Sequence, residues 1–207
     1  MYNPAPFRVD ELDEIHAMIR ACGLATLVTR SEGELVATQL PMVLAAEEGE
    51  HGVLYGHVAR ANDQWKQAVE GDAMVLFPGI DAYIRPGWLA SKAETARVVP
   101  TWNYLAVHAW GAVEFFDEPE RLLRVVTQLT ELHEAGREEP WSVTDAPPEY
   151  LEGMLRAIVG VRLPIRRVEA KKKLNQRQGA KDRASVREGL ASSGSESGRS
   201  LSKLIPE

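Results

Sequence analysis

The chain has 207 residues and a formal net charge of -6 at pH 7, with 44% hydrophobic and 26% charged residues. This is ordinary globular usage, which excludes a disordered, collagenous or low-complexity protein, and the length suits one domain with a tail or two small ones, one core being the simpler reading. No apolar run reaches about 18 residues, and the opening MYNPAPFRVDELDE is acidic, unlike a signal or transit peptide, so a cytoplasmic protein is expected. A single cysteine, Cys22, can form no internal disulfide, and its apolar neighbours predict a small buried hydrophobe.

Asp10 is a suitable N-cap, and Leu12, Ile15, Ile19 and Cys22 recur at helical spacing before Gly23, which predicts a helix over 10–22. LATLVTR (24–30) and ELVATQLPMVL (34–44) flank the turn-like Ser31, Glu32 and Gly33 and predict a β-hairpin, with Pro41 marking an edge, a bulge or a backbone approached by something other than a strand. VLYGHV (53–58) is a further strand, and Asn62 or Ala61 would open a short helix after it. MVLFPG (74–79), DAYI (81–84) and NYLAVHAWGAVEFF (103–116) supply more strands. Pro119 starts a helix carrying Leu122, Leu123, Val126, Leu129 and Leu132, Pro147 and Pro148 start another, and AIVGVRLPI (157–165) returns as a strand. Hairpin order with helices near the chain's start and end predicts an α+β or mostly β fold around an antiparallel sheet or small barrel. A short helix is expected at 182–190, and residues 191–207 read as a flexible Ser/Gly-rich tail.

Nucleotide-loop, zincin and serine-hydrolase motifs are absent, and the five histidines (16, 51, 57, 108 and 133) lack metal-ligand spacing. His16 and His133 fall on predicted helices as surface or packing residues; His57, at a strand end, and His108, inside a strand, are the more informative pair. Three clusters carry chemistry. In GHVARANDQW (56–65), Arg60 and Asn62 stand where a strand ends and a helix begins, a setting that suits a phosphate ester. The plainer alternative makes Asn62 a cap and pairs Arg60 with a carboxylate. The irregular stretch 79–104 holds Trp88, Lys92, Thr101, Trp102, Asn103 and Tyr104, which suit either the walls of a planar heterocycle site or an aromatic dimer interface. The third cluster is Thr38, Gln39, Leu40 and Pro41, where a missing ladder donor leaves room for a ligand edge.

Charge is divided along the chain. Residues 1–155 carry 11 Lys+Arg against 25 Asp+Glu, while 156–203 carry 13 against 4. A basic end hints at nucleic acid or membrane, and equally complements the acidic body or a second subunit.

The segments MYNPAPF, LATLVT, GHVARANDQW, DAYIRPGW, SKAETARVVPTWNY, VHAWG, LTELHEAGREEPW and MLRAIVGVRL together resemble the PaiB-like, FMN-binding negative transcriptional regulators, over nearly all of residues 1–190. WLASK departs from the family, which more often has an aromatic residue and Pro-Thr before the Lys; Lys92 itself is kept. The resemblance implies a homodimeric split β-barrel with flanking helices, similar to the pyridoxamine-phosphate-oxidase-like flavoproteins, with FMN at the subunit interface. It implies that Arg60, Ala61 and Asn62 hold the phosphate, that Thr38, Gln39, Leu40 and Pro41 line the ring edge with His57 nearby, and that Lys92, Thr101, Trp102 and Asn103 complete the pocket. The family name implies repression of transcription, yet the predicted first helix runs straight into a strand and forms no helix-turn-helix. DNA would have to meet KKKLNQRQGAKDR (171–183). A flavin oxidoreductase acting on a small molecule is the alternative, and haem binding has no dedicated histidine signal.

Overall fold

The structure is a computed structural model that describes all 207 residues. It divides into two compact units: residues 1–18, 78–107 and 169–207 form one, and residues 19–77 and 108–168 form the other.

The second unit holds the β-hairpin of β2 (Ala25–Ser31) and β3 (Glu34–Leu40), paired from Ala25↔Leu40 to Ser31↔Glu34. Its two-residue turn places Glu32 at φ 51 and Gly33 at φ 81, the pair of positive angles that matches the right-handed twist of the strands. β2 also pairs with the first half of β6 (Ala73–Ile84), so β3 pairs with β2 alone and its other edge is open. Pro41 lacks an N–H and ends β3; β4 (Met42–Ala45) then joins a separate sheet of order β4-β5-β9-β8 with β5 (Val53–Ala59), β9 (Ile158–Pro164) and β8 (Glu114–Phe116). Gly160 lies opposite Phe116, and a Cβ there would come within 2.3 Å of the Phe116 ring. Helices α3 (Pro119–Glu134) and α4 (Pro148–Arg156) supply Leu122, Val125, Leu129 and Leu155 to the core around Phe116. Leu123 and Leu132 of α3, expected on the same stripe, are exposed.

The first unit contains α1 (Leu12–Arg20) up to Met18, the second half of β6, the short α2 (Lys92–Thr95) and β7 (Thr101–Gly111) up to Val107. A two-residue strand, β1 (Arg8–Val9), pairs with β10 (Arg167–Lys173) through Arg8↔Lys171 and Val9↔Ala170. The unit closes with α5 (Ala180–Ala191) and α6 (Glu196–Ser202) over a core of Ile84, Leu89, Leu174, Val186, Leu190, Leu201 and Ile205.

Four features differ from the sequence expectation. MVLFPG and DAYI form one continuous strand, because Pro78 is an exposed position of β6 and interrupts no burial pattern. Asn62 opens a four-residue 3-10 turn, Asp63–Lys66, with no helix behind it, so the helix-dipole part of the phosphate argument has no basis there. The basic run at 171–173 is a strand, β10. Residues 191–207 fold: Ser195 caps α6 by accepting from Gly198 N–H, and Leu201 and Ile205 are buried. Two apolar side chains spaced four apart dock the segment although Ser and Gly surround them, and Arg183 and Arg187 donate to the Pro206 carbonyl beside them.

Candidate functional site

In the second unit, the expected phosphate segment and the expected ring edge come together. Asn62 Oδ1 accepts from Gln64 N–H at 2.9 Å, and Asn62 Nδ2 donates to Thr38 Oγ1 at 2.8 Å. Gln64, which sequence reasoning passed over, is almost fully buried and donates to Thr29 Oγ1 at 2.9 Å and to the Val36 carbonyl at 3.1 Å. It pins the 3-10 turn to the hairpin, and so fixes Asn62 against Thr38. Gln39 is exposed, Leu40 is buried, and Pro41 is half-buried.

Arg60 is held by its own chain. Nε donates to the Arg156 carbonyl at 2.7 Å and Nη2 to the Ile158 carbonyl at 3.0 Å, while Nη1 reaches Asp117 at 3.3 Å. Its carbonyl accepts from Trp65 Nε1, and its guanidinium lies 5.7 Å from the Trp65 ring centroid. A guanidinium has five N–H donors, so two remain beyond these bonds. The backbone N–H groups of Arg60 and Asn62 are spent on the carbonyls of Ala157 and Ala59. Ala61 is exposed. His57, opposite Gly160 in the β5–β9 ladder, has its pKa lowered by burial, which disfavours the imidazolium.

In the first unit, Lys92 begins α2 and is exposed, and Trp102 packs edge-on against Tyr83 with centroids 5.9 Å apart, both rings largely open to solvent. Thr101 and Asn103 line a cavity of about 410 Å3 together with Lys173, Asn175, Arg97 and Arg177. Lys173 Nζ donates to Thr101 Oγ1, and Asn103 Nδ2 to Asn175 Oδ1. The Asn103 side chain is fully buried, and its Oδ1 has no hydrogen-bond partner.

Three of the basic residues near the C-terminus are engaged within this unit. Lys171 is buried, donates to the Tyr2 carbonyl at 3.0 Å, and sits 5.2 to 5.9 Å from the ring centroids of Tyr104, Tyr2 and Phe7. Lys172 pairs with Glu14 and Lys181 with Glu94. A DNA phosphate has no access to Lys171, and the other two ammonium groups already face carboxylates. Cys22 is half-buried, a lesser burial than expected; its thiol donates to the Leu24 carbonyl at 3.3 Å, and desolvation raises its pKa. No group of three or more His, Cys, Asp or Glu residues is placed to hold a metal ion, and no helix is long and apolar enough to cross a membrane.

The groups present suit FMN in kind. β3 is the last strand of its sheet, so backbone groups on its far edge, other than the Val36 carbonyl that Gln64 takes, have no strand partner and suit ring heteroatoms, and Arg60 retains two donors for a phosphate.

Residues 1–167 match the family described as "Putative FMN-binding domain". The chain is 31% identical over 209 residues to the protease synthase and sporulation protein PAI 2 of Bacillus subtilis, covering 100% of this chain and 97% of that one. An uncharacterized protein of Emericella nidulans is 28% identical over 243 residues, with 100% and 97% covered. Among solved structures, a conserved hypothetical protein of Mycobacterium tuberculosis has a TM-score of 0.58 at 17% identity, covering 85% of this chain and 92% of that one. The flavocytochrome Anf3 of Azotobacter vinelandii has a TM-score of 0.58 at 16% identity, with 86% and 74% covered. The fold is thus shared with these proteins, and the antiparallel split-barrel class with flanking helices expected from the sequence is the class observed.

Proposed function

Because this chain belongs to the PaiB-like family of FMN-binding domains, we propose that it works as an FMN-binding homodimer that acts as a negative transcriptional regulator. The relation to the Bacillus protein over the full length carries this reading, and that relative's name, which refers to protease synthase and sporulation, fits a controlling role. In this reading Thr38, Gln39, Leu40 and Pro41 line the ring edge, with His57 kept neutral behind them. Arg60, Ala61 and Asn62 meet the phosphate. Lys92, Thr101, Trp102 and Asn103 are contributed by a second copy. FMN, when bound, supplies the redox chemistry, and the protein supplies binding, orientation and exclusion of water.

The structure narrows how DNA would be met. α1 is followed directly by β2 and so opens no helix-turn-helix, α5 and α6 are consecutive helices joined by residues 192–195, and Lys171 is buried. A repressor of this build would use a surface formed by the dimer, outside the 171–173 strand.

The absorption spectrum of the purified protein, followed by addition of NAD(P)H and titration of promoter DNA, tests the proposal. A flavin band that nicotinamides leave unbleached, with DNA affinity that falls as salt rises, is the expected result. Rapid bleaching without DNA binding would replace the regulator with a flavin oxidoreductase, and a colourless protein that takes up no FMN would reject both.

A further inference from the structure

The cavity of the first unit has a composition of its own. Arg97, Lys173 and Arg177 line it, and no carboxylate does. Asp182, beside the rim, is occupied, accepting from both the N–H and the hydroxyl of Ser91 at 2.8 Å. The remaining polar wall is Ser91, Thr101, Asn103, Asn175 and Gln178, and the volume of about 410 Å3 falls within the range of small-molecule sites. Two independent observations point to a ligand. Three cations converge without a protein counter-ion, which favours an anion. The Asn103 Oδ1 is an orphaned acceptor on a fully buried side chain, and a buried acceptor without a donor is destabilising. An incoming O–H or N–H would offset that cost.

We propose that this cavity is a binding site for a small organic anion, a phosphate ester or carboxylate, that also carries a hydrogen-bond donor. Arg97 and Arg177 take the anionic end from the solvent side, Lys173 supports it through its ammonium beside Thr101, and Asn103 Oδ1 accepts the donor. All the lining residues come from segments 7, 89–103 and 173–178, and none from 38–41 or 57–62. Thr101 and Asn103, given to the flavin pocket above, serve the anion here instead, and competition with FMN decides between the two assignments.

Inorganic phosphate and sulfate serve as probes, since near neutral pH monohydrogen phosphate carries an O–H and sulfate does not. Binding is read by calorimetry and by the rise in Tm at constant ionic strength held with chloride. Phosphate should bind the wild type, more tightly than sulfate. Arg97→Ala and Arg177→Ala, both at exposed positions, should each weaken phosphate about tenfold or more, while Arg30→Ala, at an exposed pair with Glu70, leaves it unchanged. Failure of phosphate to bind, or equal binding by the arginine variants, would overturn the site. Equal affinity for phosphate and sulfate would remove Asn103 from it. A wild type saturated with FMN should still bind phosphate. One-for-one competition would show the cavity to be the flavin's own and overturn the second ligand, whereas absence of FMN uptake with phosphate binding intact would fault the flavin reading alone.

Discussion

Replacing Arg60 with alanine deletes a guanidinium bonded to the carbonyls of Arg156 and Ile158, and leaves two acceptors to find other donors. The pair with Asp117 is exposed and contributes little, so the expected destabilisation is about 1–3 kcal/mol, read by urea denaturation. Under the flavin reading the same variant loses FMN by about ten- to a hundredfold and binds riboflavin unchanged; equal loss of both ligands would make Arg60 purely structural. His57 gives a pH signature. Burial lowers its folded pKa below the ordinary 6.5, so below that value the unfolded chain binds more protons than the folded one, and stability falls as pH drops through 6.5 toward the folded pKa. His57→Gln should flatten that part of a Tm-against-pH curve. At this scale the sequence identified Asn62 and Thr38 in separate segments, and the residue that joins them, Gln64, is a glutamine inside an expected short helix, with nothing local to mark it as buried.

At the scale of elements, α5 carries a glycine for a steric reason. A Cβ at Gly189 would lie 2.5 Å from the Trp88 ring. Alanine ordinarily favours a helix interior over glycine by about 1 kcal/mol, but overpacking costs about 1–3 kcal/mol, and a rigid indole cannot yield like a flexible chain end. Gly189→Ala should therefore lower stability by about 1–2 kcal/mol, and a gain would mean that Trp88 moves freely. Truncation after Ala191 removes Leu201 and Ile205 from the core around Ile84 and Leu89; at about 1.5–3 kcal/mol per buried aliphatic side chain, the loss should reach about 3–6 kcal/mol by chemical denaturation. An unchanged midpoint would mean α6 is detached. Periodicity made α3, α4 and the 25–40 hairpin legible. It gave no element at β10, where three consecutive lysines carry no apolar pattern, and the burial of Lys171 is visible only once Tyr2, Phe7 and Tyr104 surround it. It failed again at 191–207, where composition outweighed two well-spaced apolar residues.

For the whole molecule, the acidic and basic parts of the sequence meet inside each unit: Glu14 with Lys172 and Glu94 with Lys181 in the first, Glu114 with Arg162 and Asp72 with Arg166 in the second. The charge division along the chain is thus at least partly resolved within the fold, which a linear count could not decide. The proposed dimer is checked by sedimentation, with a species near twice 22.9 kDa expected. Trp102→Asp puts a charge on an aromatic pair that is half-exposed in the single chain. It should yield the monomer and release flavin, and a wild type that binds flavin as a monomer would end the dimer reading.

The first unit is assembled from residues 1–18, 78–107 and 169–207, with β1 at the start of the chain pairing with β10 near its end. Such distant pairings impose a large loop-closure cost before any contact rewards them, and chains dominated by them fold slowly. At about 5–20 residues added per second during synthesis, the early segments wait seconds on the ribosome for their partner strand, with Ile84 and Leu89 uncovered until α5 and α6 emerge. The order of synthesis therefore makes the last 40 or so residues the closing step of folding, and puts the interval before their arrival within reach of chaperones and proteases.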